Sequence, residues 1–167
     1  TTTSFRYQAD AGNGQTGGAP ARLTVIGAND APTARPDEAP APVMADKAVT
    51  IDALANDDDI DSDDDRSTLR IVAASAASGA SVDVTGQPGG VIVYRPGNSY
   101  VALAEGETAS DTITYIIADR HGAQGIGTAR VTITGVNDAP VAAADGAAGD
   151  EDGVLRLDVL GNDRDPD

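Results

Sequence analysis

Between Asp57 and Asp65 seven of nine residues are aspartate. At ~4 Å and an effective dielectric of ~20, two like charges repel by ~4 kcal/mol. Such a cluster is disordered, solvated, or neutralised by a metal. Asp57, Asp59, Asp61 and Asp63 alternate, so that a loop can turn several of their oxygens toward one centre, and Asn56 adds an amide oxygen. Calcium takes 6–8 oxygen ligands at ~2.3–2.6 Å from carboxylates, amides and carbonyls. The segment is not an EF-hand, since it lacks the glycine and the terminal glutamate of that loop.

The acidic motif recurs. Asn56-Asp57-Asp58-Asp59-Ile60-Asp61 returns as Asn162-Asp163-Arg164-Asp165-Pro166-Asp167, a step of 106 residues. Ile26–Pro32 (IGANDAP) returns as Thr134–Pro140 (TGVNDAP), a step of 108, and Phe5-Arg6-Tyr7 lies 108 residues before Ile113-Thr114-Tyr115. A fixed period of this size is the mark of tandem domains. Recurrence in register favours metal binding by the loop and its copy at Asp165 and Asp167. Asn29-Asp30 and Asn137-Asp138 stand before Ala-Pro at the junctions. They serve as turn formers, as ligands of a calcium shared between domains, or as both. Asp119, in the Asp119-Arg120-His121-Gly122 turn, is either a further ligand or a turn former. Glu151-Asp152 is expected to open the first strand of the third repeat and to reach back to the junction.

The period divides the chain into 1–28, the end of one repeat; 29–137, a complete repeat; and 138–167, the start of a third. Around the acids the residues read as β throughout. Thr112–Ala118 alternates with Ile113, Tyr115 and Ile117 on one face, and Ala129–Thr134 places Val131 and Ile133 inward. Shorter strands fit Ala48–Leu54, Leu69–Ala74, Ser81–Thr85 and Val91–Tyr94, with an edge piece at 43–44. Turn signals separate them at Ser78-Gly79, Gln87-Pro88-Gly89-Gly90, Pro96-Gly97-Asn98 and His121-Gly122. This spacing predicts an all-β Greek-key sandwich of about seven strands per repeat. Asn29–Pro42, with four prolines, and Asn137–Ala148 read as semi-rigid linkers.

Composition narrows the functions. The formal charge is −16, from 27 acidic and 11 basic residues. Nucleic acid and anionic membrane surfaces are poor partners for such a chain, and no apolar run is long enough for membrane insertion. With no cysteine, a bound metal is the alternative staple for a domain with few large apolar residues. No enzyme is expected. His121 is the only histidine, and no nucleophile elbow or phosphate loop occurs. The aromatic residues are Phe5, Tyr7, Tyr94, Tyr100 and Tyr115. Tyr100 is the one expected at the surface, which leaves little for a sugar-binding platform.

Taken together, several motifs resemble the bacterial cadherin-like and VCBS-type tandem repeats of large RTX-type secreted adhesins. They are Gly135-Val136-Asn137-Asp138-Ala139-Pro140, Glu151-Asp152, Leu54–Asp61 (LANDDDID), Ile92-Val93-Tyr94, Asp111–Tyr115 (DTITY) and Ala118–Gly122 (ADRHG). The resemblance covers the whole chain and implies immunoglobulin/cadherin-like Greek-key sandwiches in tandem. It implies calcium at Asp59 and Asp61, at Asn137 and Asp138, and at Glu151 and Asp152. It also implies a calcium-stiffened extender on a bacterial surface or in a secreted protein, with neighbouring repeats as partners. The alternative is an adhesion module that binds a glycan or protein ligand on a host or another cell. Ala45 stands where the resemblance expects glutamate, and Asp58, Asp64 and Asp65 exceed what its loop requires. Unpaired edges in the two partial repeats also allow head-to-tail association by strand addition.

Overall fold

A computed structural model of the chain describes residues 1–84 and 89–167. The expected strand end at Thr85 and the turn signal Gln87-Pro88 lie outside the described residues. Two units are distinct, Thr1–Asp30 and Ala31–Asp167.

The first unit is an antiparallel hairpin of β1 (Thr2–Asp10) and β2 (Thr16–Thr24). Its five-residue loop closes on Asp10 and Asn13, whose side-chain oxygens accept the amides of Gly12 (2.8 Å) and Gln15 (3.1 Å). Phe5 and Tyr7 are exposed on it.

In the second unit, one sheet contains β3 (Asp37–Glu38), β4 (Val43–Met44), β6 (Arg70–Ala76), β9 (Thr108–Ala118) and β10 (Gln124–Thr134). The other contains β5 (Val49–Ile51), β7 (Ser81–Val84) and β8 (Ile92–Arg95), in the order β5-β8-β7. In the larger sheet β9 lies between β6 and β10, and β3 and β4 both run parallel to β10 on its other side. They are two pieces of one edge strand. Pro40 and Pro42 fall between them, and proline cannot donate to a ladder. The segment read as a linker is therefore partly docked. Ala39 donates its amide to Arg130 (2.9 Å) and Ala45 to Thr134 (3.0 Å).

Both sheets feed one core. Ile51, Ile92 and Tyr94 come from the smaller sheet, and Ile71, Ile113, Tyr115, Ile117, Ala129, Val131 and Ile133 from the larger. The alternation expected for Ile113–Ile117 and Val131–Ile133 holds, because every second residue of β9 and β10 faces inward. The described residues form an all-β sandwich of two sheets, as the strand spacing predicts. Strand β10 begins earlier than the alternation suggested, and β5 is only three residues long. Tyr100 is half-buried against the core, in a short 3-10 turn over Gly97–Tyr100, and is not the surface aromatic expected of it.

One register is shared by the two units. Adding 108 to the β1–β2 pairs Phe5↔Ala21, Tyr7↔Ala19 and Ala9↔Gly17 gives the β9–β10 pairs Ile113↔Ala129, Tyr115↔Gly127 and Ile117↔Gly125.

Candidate metal centre

The acidic loop joins β5 to β6. Ala53, Leu54 and Leu69 pin its two ends into the core. Burying apolar anchors at both ends holds an otherwise self-repelling segment in one conformation. Within it Asp59 Oδ1 accepts the Asp61 amide at 2.9 Å, and Asp65 Oδ1 accepts the Ser67 amide at 2.8 Å. Asp59 Oδ2 is buried and, among the described residues, has no hydrogen-bond partner.

Asn56 and Asp57 hold the incoming chain to this loop. Asn56 Nδ2 donates to the Pro36 carbonyl at 3.1 Å, and Asp57 Oδ1 accepts the Arg35 amide at 2.8 Å. Asp57 Oδ2 lies 3.4 Å from the Tyr115 hydroxyl, which donates its single proton to Asp37 Oδ2 at 2.7 Å. Burial pushes the Asp37 carboxyl above its ordinary range, partly offset by that hydrogen bond. Burial also raises Asp57, with the neighbouring Asp37 charge adding to the shift. Both groups titrate above 3.8 in the folded chain. Between that value and their folded values the native state holds more protons, so stability gained from this pair rises as pH falls through the window. Asp37→Asn, which keeps an acceptor for Tyr115, is therefore expected to raise the melting temperature by a few degrees at pH 7. The gain should fade as pH approaches 3.8. Melting curves across that range check it, and an equal shift at every pH would remove the charge explanation.

Asp64, like Asp57, is a buried acid of the run, and its side chain is fully enclosed. Its Oδ1 accepts the Thr68 hydroxyl at 2.8 Å and the Arg120 amide at 3.3 Å, with the Arg120 guanidinium Nε 3.4 Å away. Its Oδ2 is buried and, among the described residues, has no hydrogen-bond partner. Asp63 is exposed and lies 3.0 Å from His121 Nε2. That contact holds the Asp63 carboxyl below its ordinary range and raises His121. Asp119 is fully buried, and its Oδ1 accepts the amides of His121 (2.8 Å), Gly122 and Ala123 (2.9 Å). One of its oxygens thus forms the turn.

Asn29 and Asn137 each donate Nδ2 to the carbonyl of the following aspartate, at 3.1 Å to Asp30 and 2.9 Å to Asp138. Asp138 then meets the second acidic motif: its amide donates to Asp167 Oδ2 at 3.4 Å. The Asp165 and Asp167 carboxyls are within hydrogen-bonding reach of each other, which raises Asp165 and lowers Asp167. Two neighbouring carboxylates repel when both are ionised, and a proton or a cation between them relieves that repulsion. Glu151 and Asp152 lie exposed in the 150–153 turn and open no strand. Among the described residues no hydrogen bond or ion pair ties them to Asp138, Asp165 or Asp167.

The contacts of the first acidic loop recur in the second copy. Ala143 donates to Asp163 Oδ1 at 2.8 Å, as Arg35 does to Asp57, and Asn162 Nδ2 donates to Ala144 at 3.3 Å, as Asn56 does to Pro36. The isolated bridge Thr33↔Asp58 has its counterpart in Val141↔Arg164.

Asp37, Asp64 and Asp111 were not singled out in the sequence. Each is defined by distant partners: Tyr115 for Asp37, Arg120 for Asp64, and Tyr94 for Asp111. Only the excess of Asp64 over the loop pattern marked it.

The sequence model of a family described as bacterial cadherin-like domain matches residues 29–135. No curated protein matches the chain.

Proposed function

Because the chain belongs to the bacterial cadherin-like domain family, we propose that it works as a calcium-rigidified extender repeat of a large bacterial surface or secreted adhesin. The observation that carries the calcium reading is the buried Asp59 Oδ2, a carboxylate oxygen in a pinned loop with no hydrogen-bond partner among the described residues. Leaving a buried charged oxygen unsatisfied is costly, and a hard cation removes that cost. Asp61, whose amide Asp59 already holds, is the nearest candidate co-ligand. At the junction the close Asp165–Asp167 pair, with Asp138 beside it, fits the same ion. The ligand set is oxygen only, which suits calcium. When bound, the ion supplies charge neutralisation and a crosslink, and no chemical step.

The tandem reading draws support from the two recurring structures, the shared hairpin register and the repeated loop-to-linker hydrogen bonds. Neighbouring repeats are then the principal partners. No described helix is long and apolar enough to cross a membrane. An extracellular setting suits the low affinity of extracellular calcium modules, ~10⁻⁴–10⁻³ M. The glycan- or protein-binding alternative has less behind it. The exposed aromatics Phe5 and Tyr7 stand at positions equivalent, by register, to Ile113 and Tyr115, which are core residues in the complete sandwich.

Thermal unfolding in EDTA and in calcium tests the proposal. At a free calcium concentration of ~100 times the dissociation constant, binding to the native state adds ~2.7 kcal/mol. For a domain of this size that is a rise of about 10–20 °C. Asp59→Ala/Asp61→Ala should lose most of the rise while unfolding normally in EDTA. Identical melting of the unsubstituted chain in EDTA and in calcium would sink the reading.

A further inference from the structure

We propose that Asp63, Asp64 and His121 form a second cation site, apart from the Asp59 and Asp61 calcium ligands, that takes a first-row transition cation of the Zn2+ class. One ligand atom from each of the three residues lies within 4.8 Å of the others. His121 Nε2 is 3.0 Å from Asp63 Oδ2 and 4.0 Å from Asp64 Oδ2. Around a cation with ligand bonds of ~2.0–2.2 Å, tetrahedral donors stand about 3.3–3.6 Å apart. The observed separations bracket that value, so small side-chain rotations suffice to close on an ion.

The second observation is Asp64 itself. Its residue is only 7 % exposed, yet among the described residues Oδ2 has no hydrogen-bond partner. Its other oxygen is already served by the Thr68 hydroxyl and by Arg120, through its amide and its guanidinium. Those contacts fix the carboxylate plane, as outer partners of metal-bound carboxylates do. They also place the Arg120 charge against Oδ1, leaving Oδ2 as the oxygen nearer His121. An orphaned, oriented and enclosed oxygen beside an imidazole nitrogen is what a metal ligand looks like before the metal arrives.

The nitrogen decides the class of ion. Calcium and magnesium take oxygen donors. Imidazole suits zinc, copper, nickel and iron, and one imidazole with two carboxylates is a mixed set that borderline cations accept. His121 and Asp63 are each about half exposed, leaving room for water to complete the coordination. His121 comes from the β9–β10 turn, and the two acids from the β5–β6 loop. An ion held by all three would tie together two loops separated by 58 residues in sequence. A crosslink of that kind stabilises the native state through linkage.

The test uses the full chain, stripped with EDTA and then saturated with calcium, and titrated with Zn2+ by calorimetry. One zinc per chain should bind, with a further rise in melting temperature. Replacing zinc with Co2+ should give visible ligand-field absorption. His121→Gln, a change at an exposed side chain, should weaken zinc binding at least ~10-fold and abolish the cobalt bands. It should leave the calcium-dependent melting shift intact, whereas Asp59→Ala should do the reverse. Asp64→Asn should behave like His121→Gln, and its melting temperature without metal reports whether it folds. Zinc binding of equal strength in His121→Gln would overturn the proposal, and so would an absence of zinc binding to the unsubstituted chain. Full displacement of zinc by millimolar calcium would also overturn it. A failed calcium response with an intact, His121-dependent zinc response would overturn the extender's calcium reading and leave this one standing.

Discussion

Asp111→Ala is expected to lower the melting temperature by about 10–25 °C, a loss of roughly 3 kcal/mol at the 4–8 °C per kcal/mol usual for a domain of this size. Asp111 lies on β9 and is 3 % exposed. Its Oδ2 accepts the Tyr94 hydroxyl at 2.9 Å and the Ser78 hydroxyl, and its Oδ1 accepts the amides of Thr112 (2.8 Å) and Ser78 (3.2 Å). Tyr94 belongs to β8, so this carboxylate couples the two sheets. Alanine leaves the fully buried Tyr94 without its acceptor, and each orphaned buried group costs about 1–3 kcal/mol. Burial alone would raise the Asp111 carboxyl, but the hydrogen bonds from Ser78, Tyr94 and Thr112 together outweigh it and hold the group below 3.8. The stabilisation is therefore present above 3.8 and is lost as pH falls through the lower folded value. Denaturant unfolding of the unsubstituted chain and of Asp111→Ala should show the gap narrowing in acid. A gap that stays constant down to pH 2 would mean that packing, not the ionised acceptor, is what the substitution removes.

Gly127→Ala should destabilise the sandwich by about 2–3 kcal/mol through overpacking. A Cβ built at Gly127 falls 2.3 Å from Tyr115 Cζ and 2.5 Å from its hydroxyl oxygen. The ring cannot easily give way. It is fully buried, and its hydroxyl is tied to Asp37. Gly127 pairs directly with Tyr115 across β9 and β10, so relief requires either parting the central ladder or breaking that hydrogen bond. A double-mutant cycle with Tyr115→Leu tests the cause. Tyr115→Leu alone leaves a cavity, and the added methyl should then cost much less than it does beside tyrosine. Strictly additive losses would show that the ring is not what the methyl meets.

That same pair shows why part of the fold was hidden. The inward positions of β10 run Gly125, Gly127, Ala129, Val131, Ile133, and only the last three carry enough side chain to signal alternation. The glycines sit in the strand because the Tyr115 ring on β9 fills the space at Gly127, and the Pro32 carbonyl, 2.2 Å from a Cβ built at Gly125, fills the other. A sequence pattern cannot register a volume supplied from elsewhere in the fold. The opposite error occurred after β5, where Ala53 and Leu54 read as strand. They are buried, but as anchors of a turn in which Ala55 donates to Asp52. Strand β9 and the 43–44 edge piece were legible because alternation there needs no distant partner.

The acidic loop was legible as a region and less so as a set of atoms. Seven aspartates in nine positions look alike in one dimension. Thr68 and Arg120 distinguish Asp64 from its neighbours, and the Pro36 and Arg35 backbone occupies Asn56 and Asp57. The repeat itself was the better guide. Asn162 and Asp163 make the same contacts as Asn56 and Asp57, from Ala144 and Ala143 in place of Pro36 and Arg35. What recurs is therefore a backbone geometry tolerant of the linker residue's identity.

The broken edge strand has a mechanical consequence. Strands β3 and β4, where the chain enters the sandwich, lie directly beside β10, where it leaves, and run parallel to it. Tension applied between residues 36 and 135 would pull these neighbours past one another along their length. The hydrogen bonds Ala39–Arg130 and Ala45–Thr134 would then share the load as in a lap joint, instead of parting one after another as in a zip. The proline interruption sets two such clasps in series along the seam, so slack in one does not release the other. A domain wired in this way resists stretching along the axis on which a tether is pulled, whatever its resistance to heat.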